Sequence, residues 1–260
     1  MEWRETNGVR WLAATLGPAG DGTGRAGFGS RVGGVSAAPY DSLNIGVLTD
    51  DTDAAVVENR ARLAGAVGIE ARNVPIGLQV HKADLAVHEG PQEPSPYAEP
   101  GTALEEVDGH VVREPGLAPL VLTADCLPVA LAGPGGVAML HCGWRGLAAG
   151  IVDRGARAVE ATSAAIGPGI GPCCYEVVPE VLAAFAALGE GIAADRMLDL
   201  PEVARRLLAR AGVARVESAG LCTFCEADLF FSHRRDRGVT GRMGNLAWIE
   251  AVEQATPERS

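Results

Sequence analysis

Residues 123–155 read TADCLPVALAGPGGVAMLHCGWRGLAAGIVDRG, and this stretch decides the fold. Its two apolar runs, LPVALA and VAMLHC, are separated by GPGG, which is typical of a tight turn, so the stretch predicts a β-hairpin. The run GWRGLAAGIVDRGARAVEA then predicts a helix that begins just after His141. Cys126 precedes the first strand of the hairpin, and His141 lies at the end of the second.

Strand and helix patterns alternate on both sides of this hairpin. LAPLVLTA (117–124) and VPIGLQVH (74–81) are apolar runs typical of buried strands, and the second ends at His81. DDTDAAVVENRARLAGAVG (50–68) predicts a helix, with acidic residues at its start and a glycine at its end. PEVLAAFAALG (179–189) and LPEVARRLLARAGV (200–213) predict two more helices, before a strand toward LCTFC. We therefore expect an α/β or α+β layered fold, with mixed β-sheets flanked by helices.

One segment interrupts the regular pattern. HEGPQEPSPYAEPGT, residues 88–102, contains four prolines and has no hydrophobic periodicity. This composition predicts an exposed excursion from the domain, and such an excursion could act as a lid over a site.

The composition limits the classes of partner. The 260 residues are 47% hydrophobic and 21% charged, which fits one large domain spanning 1–260. Because 33 acidic residues outnumber 22 basic ones, the net charge of −11 disfavours nucleic acid and anionic membranes as partners. The chain has no apolar run long enough for a signal peptide or a membrane span, so we expect a cytoplasmic protein. We also expect a monomer.

Two histidines and a cysteine form a candidate metal site. Of the five histidines, His81 and His141 end predicted strands, and Cys126 lies at a junction between strands. Two imidazoles and one thiolate leave the fourth position of a tetrahedral zinc open, as in catalytic sites. Two alternatives stay open from spacing alone. Cys126 could be a core thiol unrelated to the histidines, or Cys126 and His141 could be the nucleophile and base of a cysteine hydrolase.

The other cysteines give a weaker signal. Cys222 and Cys225 form a C-x-x-C pair, whereas Cys173 and Cys174 are adjacent in sequence. We expect the side chains of adjacent cysteines to diverge, which leaves the C-x-x-C pair without a partner pair for a metal. The sequence therefore predicts that Cys222 and Cys225 are structural thiols, with a redox or metal pair as the alternative.

Three arginines are candidates for binding phosphate: Arg145, Arg234 and Arg235. Arginines on a solvated face are the ordinary case for two of the three. Arg145 is favoured because it lies where the predicted helix starts, between glycines that allow a ligand to approach the backbone.

Several motifs together resemble one known family. They are GGVSAAPYDSLNIG (33–46) with ENR (58–60), QVH (79–81), TADCLPV (123–129), HCGWRGLAAGIV (141–152), IGPGIGPCCYEV (166–177) and CTFC (222–225) followed by FFSHRRDRGVTGR (230–242). In this order they look like the polyphenol oxidase family, also called the YfiH or laccase-domain family. The resemblance covers nearly the whole chain.

The resemblance implies a compact fold of the type found in the catalytic domain of cytotoxic necrotizing factor. It also implies a zinc ion held by His81, Cys126 and His141. The implied activity is phosphorolysis of adenosine, inosine, guanosine and S-methyl-5′-thioadenosine, together with deamination of adenosine. The expected ligands are thus purine nucleosides and phosphate.

Further site residues are expected from this mechanism. Cys126, His141, Asp125 and Arg145 are the predicted catalytic residues, with Arg145 on phosphate. Asp125 and Glu176 are candidates for the proton shuttle, with the alternative that Asp125 only orients a metal ligand. Arg31 and Asn44 lie in or next to the N-terminal motif, and we expect them to bind substrate.

The older family name suggests copper chemistry as a rival. Five histidines without an H-x-H pair argue against a trinuclear copper cluster. A single copper bound by His81, Cys126 and His141, with Met139 on the same strand face as an axial ligand, would resemble a blue-copper site.

Overall fold

Two β-sheets packed face to face form the centre of the molecule. The computed structural model of the chain describes residues 1–46 and 48–251. Its strands are β1 (Glu2–Thr6), β2 (Val9–Ala19), β3 (Gly22–Gly29), β4 (Leu85–His88), β5 (Gly109–Val112), β6 (Leu120–Thr123), β7 (Leu127–Gly133), β8 (Gly136–Cys142), β9 (Ser163–Ile166), β10 (Ala193–Ala194), β11 (Met197–Leu198), β12 (Arg215–Ser218) and β13 (Met243–Ala251). Its α-helices are α1 (Asp53–Val67), α2 (Trp144–Ala148), α3 (Ile151–Val159), α4 (Pro179–Ala184) and α5 (Leu200–Arg210), and 3₁₀ turns lie at Ala71–Asn73 and Ala186–Leu188.

The two sheets differ in strand direction. The first has the order β1-β2-β3-β13-β6 and is antiparallel throughout. The second has the order β12-β9-β7-β8-β5-β4, with parallel pairs at its two edges and antiparallel pairs between them. A short hairpin, β10-β11, lies apart from both. The expected mixed arrangement is therefore found in the second sheet, whereas the first is purely antiparallel.

Alternate side chains of the strands fill separate cores, as period-two burial requires. Between the sheets, residues such as Phe28 and Leu16 of the first sheet pack with Met139 and Val137 of the second. The outer face of the second sheet packs against α3 and α5, and the outer face of the first packs against α1. The molecule is therefore layered as helix, sheet, sheet, helix.

The predicted hairpin and first helix are present. Strands β7 and β8 pair in register from Leu127 opposite Cys142 to Gly133 opposite Gly136. In α1, the Thr52 side chain accepts a hydrogen bond from Ala55 N, and Gly68 ends the helix in the left-handed conformation that glycine favours. The helix predicted after His141 is divided into α2 and α3, because Gly150 adopts a φ of 86° between them.

The strand predicted to end at His81 does not form. Over residues 74–81, the one bridge in the described structure joins Leu78 to Glu106. The Gln79 amide instead exchanges two hydrogen bonds of 2.7 Å with the main chain of Leu122. The following backbone N–H groups, from Val80 to Lys82, donate to the carboxylate of Asp108. Near the end of this segment, the side chains of Gln79 and Asp108 thus make hydrogen bonds to the main chain in place of strand pairing.

The proline-rich segment is anchored rather than simply exposed. Tyr97 is fully buried, and its hydroxyl donates to Arg60 O at 2.8 Å. The buried Arg60 side chain in turn donates to the carbonyls of Pro96 and Tyr97. The prediction of an exposed excursion over residues 88–102 is therefore wrong around Tyr97. The hydrogen bonds between this segment and Arg60 of α1 argue against a freely moving lid.

Candidate active site

A cavity of about 480 Å³ lies where the β7–β8 hairpin meets the loops around it. Its wall includes His81, Asp125, Cys126 and His141. Loops place the first three of these side chains, and the end of β8 places His141. The volume is within the range of small-molecule sites.

His81, Cys126 and His141 come together in this wall. Their nitrogen and sulfur ligand atoms all lie within 4.8 Å of one another. The two imidazole rings have centroids 4.8 Å apart and meet edge to face at 77°. The sequence prediction that these three side chains share one site thus agrees with their placement.

A buried carboxylate, Asp108, holds the group in place. Asp108 Oδ1 lies 2.8 Å from His141 Nδ1, which leaves Nε2 of that ring as the nitrogen free for a ligand. The same carboxylate accepts the backbone N–H groups of Val80, His81 and Lys82 at 2.7–3.1 Å. One side chain therefore orients one histidine directly and fixes the loop that carries the other.

Asp125, the alternative candidate for orienting a metal ligand, does not have this role. Asp125 accepts hydrogen bonds from Thr223 Oγ1 and Arg234 N, both at 2.7 Å, and it does not bond to a histidine. Asp108 was missed as an orienting residue. The available signal was an aspartate followed by glycine just before a strand whose four residues are all buried.

The electrostatics of the group favour a thiolate. Burial raises the pKa of Cys126, but the neighbouring His141 and His81 lower it to about 6. Burial lowers the pKa of His141, but the Cys126 thiolate and Asp108 raise it to about 9. The pKa of Asp108 is lowered because its hydrogen bonds from His141 and Lys82 N–H outweigh the effect of its burial.

The space around the three side chains also fits a metal centre. A Cβ at Gly143 would lie 2.9 Å from Cys126 Sγ and 3.3 Å from His81 Cδ2, so glycine leaves room for both ligands. His81 and Asp125 have φ values of 61° and 98°, which non-glycine residues adopt rarely, so both residues of the site have an unusual backbone conformation. One thiolate and two imidazoles are a donor set that zinc accepts. The residues present therefore fit a metal ion, and its identity is a separate question.

Arginines supply positive charge to the cavity wall. Arg145, Arg234 and Arg242 line it. The Arg145 guanidinium lies 4.5 Å from the ring centroid of Trp144, and the Arg234 guanidinium lies 5.4 Å from that of Tyr175. Arg242 was missed by the sequence analysis, although it ends the motif FFSHRRDRGVTGR. These groups bring positive charge to the cavity wall of an otherwise acidic protein.

The remaining candidates do not line the cavity. Arg31 donates to the carbonyls of Asp41 and Ala227, and it packs 4.6 Å from the Phe231 ring centroid. Arg235 pairs with Asp236 and donates to Thr223 O. Glu176 forms an exposed ion pair with Arg196. Substrate binding by Arg31 and proton transfer by Glu176 stay predictions that the placement of these residues does not support, and Arg235 is structural.

Asn44 acts behind the wall. It is fully buried, and its amide donates to Thr49 Oγ1 and Asp51 Oδ2. Its Oδ1 accepts the backbone N–H groups of Gly46 and Arg242. Asn44 thus positions wall residues, and its predicted contact with substrate stays a prediction that its burial does not support.

The comparisons with known proteins agree with this fold. A family model described as multi-copper polyphenol oxidoreductase laccase matches residues 25–250. The chain belongs to this laccase-domain family, the YfiH family.

Particular relatives are named for a different chemistry. The purine nucleoside phosphorylase YfiH of Escherichia coli is 38% identical over 234 residues, which are 85% of this chain and 91% of the relative. The purine nucleoside phosphorylase YlmD of Geobacillus stearothermophilus is 36% identical, over 89% of this chain and 91% of the relative.

Solved structures match the whole fold. The crystal structure of YlmD from Geobacillus stearothermophilus has a TM-score of 0.83 at 33% identity, covering 95% of this chain and 98% of that one. A Bacillus licheniformis YfiH structure has a TM-score of 0.82 at 30% identity, covering 95% and 99%. Among residues 1–46 and 48–251, no helix has the length and apolarity needed to cross a membrane.

Proposed function

We propose that this chain is a zinc-dependent purine nucleoside phosphorylase. Adenosine, inosine, guanosine and S-methyl-5′-thioadenosine are the proposed substrates, and deamination of adenosine is a second proposed activity. The observation that carries the proposal is the His81, Cys126 and His141 group in the wall of a cavity that arginines also line. The names of the related proteins support the same reaction class.

His81, Cys126 and His141 would hold the zinc ion through two imidazoles and one thiolate. When bound, zinc supplies a Lewis-acidic positive charge to the cavity. Asp108 keeps His141 in the tautomer that presents Nε2, and it holds the backbone around His81. The protein thereby fixes the geometry of two ligands before the metal arrives.

Phosphorolysis requires that phosphate and nucleoside meet in one orientation. A phosphate oxygen forms a bond to C1′ of the ribose while the bond from C1′ to the base breaks, and the departing electron pair leaves with the base, which takes up a proton. Arg145 is the proposed phosphate ligand, because the described residues give its guanidinium no salt bridge and it lies at the start of α2. Arg234 and Arg242, which also line the cavity, add positive charge.

The apolar part of the wall suits a purine. Ile76, Leu104, Leu122 and Ile170 line the cavity beside Tyr175. Flat apolar and aromatic surfaces bury a base while a few polar groups orient it. We therefore place the base against these residues and the ribose toward Cys126 and His141.

Deamination would use the same cavity without phosphate. Water adds to C6 of adenine and ammonia leaves, so a group must move a proton between them. Asp125 is the one carboxylate among the described residues that lines the cavity. It is therefore the proposed proton carrier, although it also accepts hydrogen bonds from Thr223 and Arg234.

Two alternatives are less well supported. Met139 is fully buried in the core between the sheets and does not line the cavity, which argues against an axial methionine of a blue-copper site. Cys126 has a lowered pKa and lies beside His141, whose ring is hydrogen-bonded to Asp108, and this arrangement would suit a nucleophile with its base. His81 also contacts the Cys126 sulfur, and a second imidazole beside this sulfur favours a metal site over a nucleophile with its base.

The test is a product analysis of metal-assayed protein with adenosine, with and without phosphate. Adenine and ribose 1-phosphate that form only with phosphate support phosphorylase activity, and inosine supports deamination. Cys126→Ala, purified in parallel, is expected to abolish both. Oxidation of a catechol without nucleoside turnover would contradict the proposal in favour of copper chemistry. Turnover by zinc-free protein, lost after thiol alkylation, would favour the cysteine hydrolase.

A further inference from the structure

Four cysteine thiols outside the cavity lie close together. Cys225 Sγ is 3.6 Å from Cys173 Sγ and 3.4 Å from Cys174 Sγ, and those two are 3.6 Å apart. Cys222 completes the group, in which all four sulfurs lie within 4.8 Å of one another. The expectation that the side chains of Cys173 and Cys174 diverge is therefore wrong.

These spacings match a tetrahedral thiolate site. A zinc–sulfur bond is about 2.3 Å long, so two sulfurs of a regular ZnS₄ tetrahedron lie about 3.8 Å apart. The observed separations of 3.4–3.6 Å need only a small outward movement to reach that value. The cysteines are all free, so no disulfide competes for the sulfurs.

The backbone builds the group from two turns that are joined to each other. The Cys173–Cys174 turn closes through Cys174 N donating to Gly171 O at 3.0 Å, and the C-x-x-C turn closes through Glu226 N donating to Cys222 O at 3.0 Å. Gly171 N also donates to Cys222 Sγ at 3.3 Å. A backbone N–H directed at a cysteine sulfur stabilises a thiolate, which is the form that binds metal.

We propose that Cys173, Cys174, Cys222 and Cys225 bind a second zinc ion, which joins these two turns. Four thiolates fill all four positions of a tetrahedral ion, which is the arrangement of a structural zinc site. Thiolate ligands in a tetrahedron also exclude hard cations such as Mg²⁺ and Ca²⁺. This site is separate from the His81, Cys126 and His141 group, and none of its cysteines lines the cavity.

The second site has a consequence for the first. Thr223, between Cys222 and Cys225, donates to Asp125 in the cavity wall at 2.7 Å. Tyr175, which follows Cys174, lines the same wall. A zinc ion that fixes the two turns thus fixes one side of the active-site cavity.

The test is the zinc content of the purified full chain and its variants, measured by mass spectrometry of metals. We expect two zinc ions per wild-type chain, one in Cys126→Ala and one in the double variant Cys222→Ser/Cys225→Ser. Cys142→Ala is the matched control. It removes a buried core thiol that belongs to neither group, and it should keep two ions.

X-ray absorption at the zinc edge identifies the ligands. In Cys126→Ala the remaining zinc should be surrounded by about four sulfurs at about 2.3 Å and no nitrogen. Zinc absent from Cys126→Ala, no loss of zinc in the double variant relative to the wild type, or iron in place of zinc would overturn the proposal. These counts do not depend on nucleoside turnover, so they stand whether or not the phosphorylase assay succeeds.

A measurement on the wild type covers the case in which the double variant fails to fold. Native protein is alkylated before and after chelation, and the modified cysteines are identified by peptide mass spectrometry. Cys173 and Cys225 are exposed, yet bound zinc should protect them until chelation. Equal labelling before and after chelation, or a disulfide among the four, would overturn the site.

Discussion

At the scale of single residues, the Asp108 side chain supports both histidines of the candidate metal centre. It accepts from the ring of one proposed zinc ligand and from the backbone of the other, and it has no exposed surface. Carboxylates in this position raise the basicity of the ligand and fix its orientation. The geometry of the candidate metal centre therefore depends on a residue that does not itself belong to the group.

Replacing Asp108 tests this directly. Asp108→Asn removes the charge and one of the two equivalent acceptors, and we expect zinc affinity at the active site to fall by about 10- to 100-fold. Competition with a chromophoric chelator measures the affinity, and circular dichroism checks the fold. Asp84→Asn is the control, since Asp84 is an exposed partner of Arg154. Equal affinities in both variants would contradict the role given to Asp108.

The metal-free thiol provides a second residue-level prediction. Because His141 and His81 lower the pKa of Cys126 to about 6, its thiolate should persist well below the pH at which an ordinary cysteine ionises. Alkylation of Cys126 in metal-stripped protein should therefore rise with pH through about 6 and level off above it. In His141→Ala the same rise should move to higher pH. An unchanged profile in that variant would show that His141 does not stabilise the thiolate.

Arg145 carries the phosphate prediction. Arg145→Lys keeps the charge but loses the planar fork that binds two phosphate oxygens, so phosphorolysis of adenosine should need a higher phosphate concentration for half-maximal rate. Deamination, which uses no phosphate, should change less. Arg196→Lys, on an exposed arginine paired with Glu176, serves as the control. A parallel fall of both activities would mean that Arg145 binds the nucleoside or supports the site.

At the scale of elements, sequence patterns correctly predicted the strands and helices that are stabilised by interactions between nearby residues. The β7–β8 hairpin and α1 follow from turn residues, alternation and caps that lie within a few positions of one another. The strand expected before His81 is absent, and at its predicted end the N–H groups of Val80 and His81 donate to Asp108, 27–28 residues away, instead of to a strand. The four-cysteine group was missed for the same reason, since its two halves are about 50 residues apart in sequence and meet only through folding.

Alanine substitutions at two helical glycines form a matched pair that tests how closely the helices pack. Gly65 in α1 is exposed, and a Cβ there meets nothing within 4 Å, so Gly65→Ala should stabilise the protein by up to about 1 kcal/mol through helix propensity. Gly155 in α3 is buried, and a Cβ there would lie 2.8 Å from Leu140 Cδ1. Gly155→Ala should therefore be less stable than Gly65→Ala and is expected to fall below the wild type. Urea unfolding of both variants measures this, and equal gains would show that α3 can move off the sheet.

At the scale of the whole molecule, the proposed zinc ions join segments that are distant in the chain. A ligand present at about 100 times its Kd adds about 2.7 kcal/mol, and in a domain of this size each kcal/mol shifts the Tm by about 2–4 °C. Chelation should therefore lower the Tm by about 5–10 °C for each site emptied. Zinc should restore the Tm and Mg²⁺ should not. No change on chelation would contradict both metal sites.

The position of β13 has a consequence for how the protein is made. This strand lies between β3 and β6 in the first sheet, although it is the last in the described chain. On the ribosome, the edges of β3 and β6 must stay unpaired until residues 243–251 leave the exit tunnel. Sheet edges left open in this way are sites for pairing with other chains. The nascent protein is thus exposed to misassociation until β13 emerges, when this single strand joins β3 to β6.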